Sequence, residues 1–133
     1  MNKQVDAREL LITARDALLQ SILPNLPEGL HYEARMIANA MRIASRELAL
    51  GASADRLELD ILSQLVGGTQ TDTSISPSTI AEQIAKDQRT LCLAIRAGEF
   101  DTAGTKQEAL ITALTEITLA KLAISNPRAI HRG

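Results

Sequence analysis

Aromatic side chains are almost missing from this chain: they make up 2% of 133 residues, with no Trp and with Tyr32 and Phe100 each alone. A binder that stacks nucleic-acid bases needs aromatic platforms, so that class is set aside. An excess of positive charge is missing too. With 14 Lys and Arg against 16 Asp and Glu, the net charge is -2, which gives no general field to attract nucleic acid or an anionic membrane. The single cysteine, Cys92, excludes an internal disulfide and a thiolate metal cage. No apolar run approaches the roughly 20 residues needed to span a bilayer. The opening MNKQVDAREL lacks the apolar core of a signal peptide. These absences predict a cytoplasmic protein with no nucleic-acid partner and no membrane partner.

Catalytic signatures are also lacking. There is no glycine-rich phosphate loop with its lysine, no GxGxxG after a strand, no HExxH and no CxxC. His31 and His131 are the only histidines, and no serine sits in a nucleophile-elbow context. Cys92, between Leu91 and Leu93, reads as a buried, inert thiol. The chain is also too poor in catalytic elements to transfer a phosphoryl group by itself. The expectation is a protein without catalytic residues, metal or cofactor.

What the sequence does have is Leu, Ile and Ala. Hydrophobic residues reach 45%, a composition suited to helices, in a chain of one-domain size. The first helix begins at Asp6, where Asp6 and Glu9 have capping-box spacing. Leu10, Ala14, Ala17 and Leu18 share a face, joined by Leu11 and Ile22. Pro24 and Pro27 end the helix. Leu30 to Leu50 forms the central helix, with Gly51 placed to close it. Ser53 then caps a further helix over Ala54 to Val66, ended by Gly67 and Gly68. The run 67–78 is rich in Gly, Thr and Ser and reads as a flexible linker without a domain boundary. The next helix starts near Pro77 or Thr79, with Thr79 and Glu82 as a capping box, and stops at Gly98. Phe100 folds back over its last turn. Thr105 and Glu108 open the last helix, whose inward residues are Leu110, Ile111, Leu114, Ile117, Leu122 and Ile124. Asn126-Pro127 closes it, and 128–133 reads as a frayed basic tail. The predicted fold is all-α, a single-domain bundle of about five helices over residues 1–133.

The central helix organises the rest. Leu30, Ala34, Ile37, Met41, Ala44 and Leu48 form one apolar line, and Tyr32, Met36, Ala40, Ile43 and Leu50 form a second. A polar stripe of His31, Arg35, Asn39, Arg42 and Arg46 runs between them. A helix so widely apolar belongs in the middle of a structure, and its charges need partners. Three readings stay open. The stripe is an internal network with acids such as Glu9, Asp16, Glu33, Glu47, Glu58 or Asp60; a contact surface for another protein; or an anion site built from forked arginine donors. His31 alone reads as a hydrogen-bonded helix-end histidine. Lys121 reads as a snorkelling cation on an apolar helix face. Arg96 beside Gly98 reads as a cation favoured at a helix C-terminus, and Asn126 as a stop signal.

Three segments, in their order and spacing, resemble a known family. They are ARELLITARDALLQSILPNLPEGLHYEARMIANAMRIASREL, LCLAIRAGEFD and LAKLAISNPR. The matching features are Leu23-Pro24, the His31, Arg35, Asn39 stripe, Arg46-Glu47-Leu48, Ile95-Arg96-Gly98, and Ala120-Lys121-Leu122 with Ile124 and Asn126-Pro127. The chain resembles a bacterial family of small helical proteins of unknown function, encoded beside kinases similar to aminoglycoside phosphotransferases and beside acyl-CoA dehydrogenases. The stretch 67–78 departs from the family pattern. The resemblance implies a non-catalytic accessory subunit of a hydroxyacyl-CoA kinase, of the 4-hydroxyacyl-CoA type, in acid catabolism. It also implies that the stripe, with Arg96, Lys121 and Asn126, contacts that partner or an anion. Two other functions remain: a module binding the phosphates of a CoA ester or nucleotide, and a homo-oligomeric structural protein.

Overall fold

The computed structural model describes residues 6–68 and 76–132. Among these there are four α-helices and no strand: α1 (Ala7–Ala17), α2 (His31–Val66), α3 (Pro77–Arg96) and α4 (Thr105–Ser125). The all-α prediction holds, with four long helices where about five were expected. The chain divides into two compact units, Met1–Gly51 and Ala52–Gly133, which are taken in turn.

In the first unit, Asp6 caps α1 by accepting from the Arg8 N–H at 3.0 Å. Of the predicted face, Leu11 and Leu18 are half-buried, together with Arg15, whereas Leu10, Ala14, Ala17 and Ile22 are exposed. Leu18–Ile22 then widens into a π-helical turn, with the Leu23 N–H bonded to the Leu18 carbonyl. Pro24, which has no N–H to offer, follows directly. Two short 3-10 turns, Leu23–Asn25 and Glu28–Leu30, lead into α2.

The main correction concerns α2. It runs without interruption through Leu50, Gly51 and Ser53, so neither the predicted stop nor the predicted Ser53 cap exists. A closing glycine must take positive φ, and Gly51 does not. Gly51 is buried instead, with the Glu47 carboxylate folded over the space its Cβ would fill. The helix formers on both sides outweigh the roughly 1 kcal/mol that one interior glycine costs. At 36 residues, α2 is about 54 Å long. Its buried side in this unit also differs from the expected one. Ala34, Ala38 and Ser45 are buried, whereas Leu30, Ile37 and Leu48 are exposed. Large apolar residues set the apparent hydrophobic face, but close packing there selects the small ones.

The second unit has a continuous core. Leu59 and Leu62 of α2 are its most buried large side chains, packed with Ile84 and Leu91 of α3, Phe100, and Leu110 and Ile117 of α4. Gly67, at φ 73°, ends α2 as predicted, and the Gly68 N–H returns to the Ser63 carbonyl at 2.8 Å. The expected linker 67–78 lies partly outside the described residues. Within it, Pro77 takes the first position of α3. The cap is Ser76, whose hydroxyl accepts from the Thr79 N–H at 3.3 Å. Thr79 therefore lies inside the helix and does not cap it.

Helix α3 ends in a Schellman turn at Gly98 (φ 82°): the Glu99 N–H reaches the Ala94 carbonyl and the Gly98 N–H the Ile95 carbonyl. The turn delivers Phe100 into the core. Gln107 Nε2 then donates to the Phe100 carbonyl at 3.2 Å. Gly104 is the N-cap of α4 and Thr105 its first residue, so the predicted Thr105 cap is not formed. Helix α4 buries Leu110, Ala113, Ile117 and Ile124. The predicted inward residues Ile111 and Leu114 instead face solvent at 59% and 43% exposure. Residues Pro127–Arg132 wind into 3-10 turns, with Ala129 and Ile130 half-buried.

Candidate functional site

The five polar residues of the stripe share one side of α2, but in different surroundings. His31 is half-buried, and its Nε2 lies 2.9 Å from the Leu26 carbonyl. That contact ties the start of α2 to the turn before it, as expected for a helix-end histidine. Arg42 and Arg46 are half-buried and each has an interaction partner. The Ser45 hydroxyl donates to the Arg42 carbonyl at 2.8 Å, so it is satisfied within the helix. Arg35 and Asn39 are exposed.

Beside them lies an apolar strip that faces out. Tyr32 is 72% exposed, Met36 54% and Leu50 40%. With Asn39, Ile43 and Arg46 these residues fall at steps of four and three, one continuous line along α2. The second apolar line read from the sequence is thus an outer surface in the first unit, edged by arginine. Tyr, Met and Arg are the types enriched where proteins dock, because they offer large area, adaptable shape and forked donors. Arg15 of α1 was not singled out in the sequence. Its Nε is shielded from solvent and makes no hydrogen bond.

The remaining predicted residues belong to the second unit. Arg96 is exposed in the last turn of α3, where its charge complements the helix end. Asn126 is exposed and caps α4, its N–H bonded to the Leu122 carbonyl at 2.8 Å. Lys121 has a different role from the expected snorkelling one. Its ammonium lies 3.3 Å from the Glu58 carboxylate, which also accepts from Gln88 Nε2 at 2.8 Å. Glu58 is itself buried, so this is an internal tie between α2, α3 and α4.

A second buried carboxylate, Asp87, accepts from Gln83 Nε2 at 2.9 Å and from the Ser63 hydroxyl at 3.4 Å. The signal for it was present: Asp87 interrupts the Ile80, Ile84, Leu91 face, and Gln83 stands four residues before it. Cys92 is exposed, which overturns the expectation of a buried thiol. It stands about a quarter-turn round α3 from Ile84 and Leu91.

The grooves of the second unit add no reactive constellation. One is lined by Leu65, Val66, Leu91, Ala94 and Phe100, with Lys106 at its rim. That lysine sits 5.1 Å from the centre of the Phe100 ring and 3.7 Å from Glu99, so its charge is already engaged. Among the described residues, no group of three or more His, Cys, Asp or Glu is placed to hold a metal ion. No helix among them is long and apolar enough to cross a membrane.

Residues 24–129 match a family described as a domain of unknown function, DUF6285. The chain belongs to the DUF6285 family. The match begins at Pro24 and takes in all of α2, α3 and α4, so both the outward strip and the Glu58 and Asp87 ties lie within the DUF6285 region. Helix α1 precedes it. Neither a curated protein nor a solved structure matches this DUF6285 chain.

Proposed function

We propose that this DUF6285 protein is a non-catalytic accessory subunit, docking through α2 onto an aminoglycoside-phosphotransferase-like kinase that acts on hydroxyacyl-CoA esters in acid catabolism. The observation that carries the docking role is the outward line of Tyr32, Met36, Asn39 and Leu50 with Arg35 beside it. A tyrosine with 72% of its surface exposed on a rigid helix costs little entropy to immobilise and covers much area when bound. The identity of the partner rests on the ordered segments that resemble kinase-associated proteins. The small protein supplies surface and order to the kinase or its CoA-ester site, and the kinase supplies the general base.

Co-expression with an aminoglycoside-phosphotransferase-like kinase from the same genome tests the reading. The two chains are expected to co-purify, and adding the small protein is expected to raise kinase turnover with a hydroxyacyl-CoA substrate. Separate elution with unchanged turnover would contradict it. Arg35→Glu tests the stripe itself. It is expected to weaken association while leaving the helical circular-dichroism spectrum intact.

A further inference from the structure

We propose that a ridge on α3 of one copy seats in the groove between α2 and α4 of the next copy, so that this chain assembles head to tail. The proposal uses neither the α2 strip nor the kinase reading.

The ridge is Arg89, Leu93 and Arg96, which follow at steps of four and three in one line along α3. It stands opposite the core, since Leu93 is about half a turn round the helix from both Ile84 and Leu91. Leu93 is 64% exposed, and Lys86, Arg89 and Arg96 are exposed beside it. None of these three cations makes an ion pair with a described residue. Glu82, early in the helix, is the one exposed acid of α3. The face is therefore positive around an outward leucine.

The groove has a volume of about 360 Å³ and is lined by Ile61 and Leu65 of α2 and by Ala109, Thr112, Ala113 and Glu116 of α4. The small side chains of its α4 wall leave a recess between the helices. Glu108, Thr112 and Glu116 follow at steps of four in one line along that wall. Both glutamates are exposed, and neither makes an ion pair with a described residue. From Glu108 to Ala120, α4 carries no cation. The preceding Lys106 is turned to Glu99 and the Phe100 ring.

Ridge and groove match in sign, spacing and shape, and that match names a second copy as the occupant. Arg89 and Arg96 stand seven residues apart, about 10.5 Å along α3, and Glu108 and Glu116 eight apart, about 12 Å along α4. Leu93 lies four residues from Arg89, and Thr112 four from each glutamate. In either direction along the helix, each arginine meets a glutamate and Leu93 enters the recess beside Thr112. Ridge on ridge, or groove on groove, would set like charges together. The contact is thus heterologous. Each assembly keeps a free ridge at one end and a free groove at the other, and grows into a ring or a filament. Its ion pairs are exposed at the rim, so salt weakens it.

The test uses the full chain carrying Cys92→Ser, because the exposed Cys92 thiol stands beside Leu93 and would cross-link on its own. In sedimentation at low salt this parent is expected to form species larger than a dimer as concentration rises, and to lose them at high salt. A ridge variant, Arg89→Gln with Arg96→Gln, and a groove variant, Glu108→Gln with Glu116→Gln, are each expected to be monomeric with an unchanged circular-dichroism spectrum. Each variant keeps one intact half of the contact. Mixed, they are expected to give a one-to-one dimer and nothing larger. A parent that stays monomeric at low salt up to millimolar concentration overturns the proposal. So does a ridge or groove variant that assembles as the parent does, or a mixture of the two that stays monomeric.

Discussion

The Lys121 ammonium lies 3.3 Å from the Glu58 carboxylate, joining two helices that are 63 residues apart in sequence at this point. The two ends of this pair differ in surroundings: the Lys121 side chain is 58% exposed and that of Glu58 only 7%. Removing the lysine therefore leaves a buried carboxylate that keeps the Gln88 amide as a donor at 2.8 Å but loses its cation. A buried charge that loses its partner costs more than a surface pair contributes. Lys121→Met is expected to destabilise the protein by about 1–2 kcal/mol, read from urea unfolding. Glu58→Gln in the same background should recover part of that loss, because it removes the unpaired charge. A double-mutant cycle with no coupling between the two positions would contradict this role.

Leu59 is the simplest measure of the second unit's core, since none of its surface reaches solvent. Leu59→Ala removes buried methyl groups and leaves a cavity, which costs about 2–5 kcal/mol. Denaturant unfolding should show the midpoint falling with little change in slope. A loss well under 1 kcal/mol would mean that the site collapses around the cavity and that the packing is looser than described.

Gly51 predicts the opposite sign. It is helical, and an alanine Cβ there would meet the Glu47 Oε1 atom at 2.5 Å. That atom is the end of a flexible side chain and can swing aside. The gain in helix propensity, about 1 kcal/mol, then exceeds the cost of moving it. Gly51→Ala is expected to raise the melting temperature. A lower one would mean that the Glu47 placement over Gly51 is itself stabilising.

How much of this was legible in the sequence depended on which signal each residue carried. Helix periodicity and proline or glycine boundaries located α1, α3 and α4, and the Gly98 turn was read correctly because Arg96 and Phe100 bracket it. Gly51 misled because a single glycine marks either a helix end or a tight interior contact, and only its φ distinguishes them. Thr79 and Thr105 have capping-box spacing, but Ser76, three residues before Thr79, and Gly104, one before Thr105, take the cap positions. The polar stripe was found as a line of residues. Its division into half-buried Arg42 and Arg46 and exposed Arg35 and Asn39 was not, because burial depends on neighbours far away in the chain. Ile111 and Leu114 show the same limit. In a helix apolar all round, composition does not say which side meets the core.

Cys92 supplies a direct chemical check on that point. An exposed thiol reacts with a disulfide reagent in the native state, so one equivalent is expected to titrate quickly without denaturant. A thiol that reacts only after unfolding would place Cys92 inside, against the structure.

The arginine-edged strip of α2 is the proposed docking surface. The measurement that tests it most directly is the dissociation constant for the proposed kinase partner, by calorimetry, for the parent chain and for Tyr32→Ala with Met36→Ala. Anchor residues of this kind contribute about 2 kcal/mol or more, so the double variant is expected to bind at least about 30-fold more weakly with unchanged helicity and thermal stability. Binding of equal strength by the parent and the folded double variant would contradict the account.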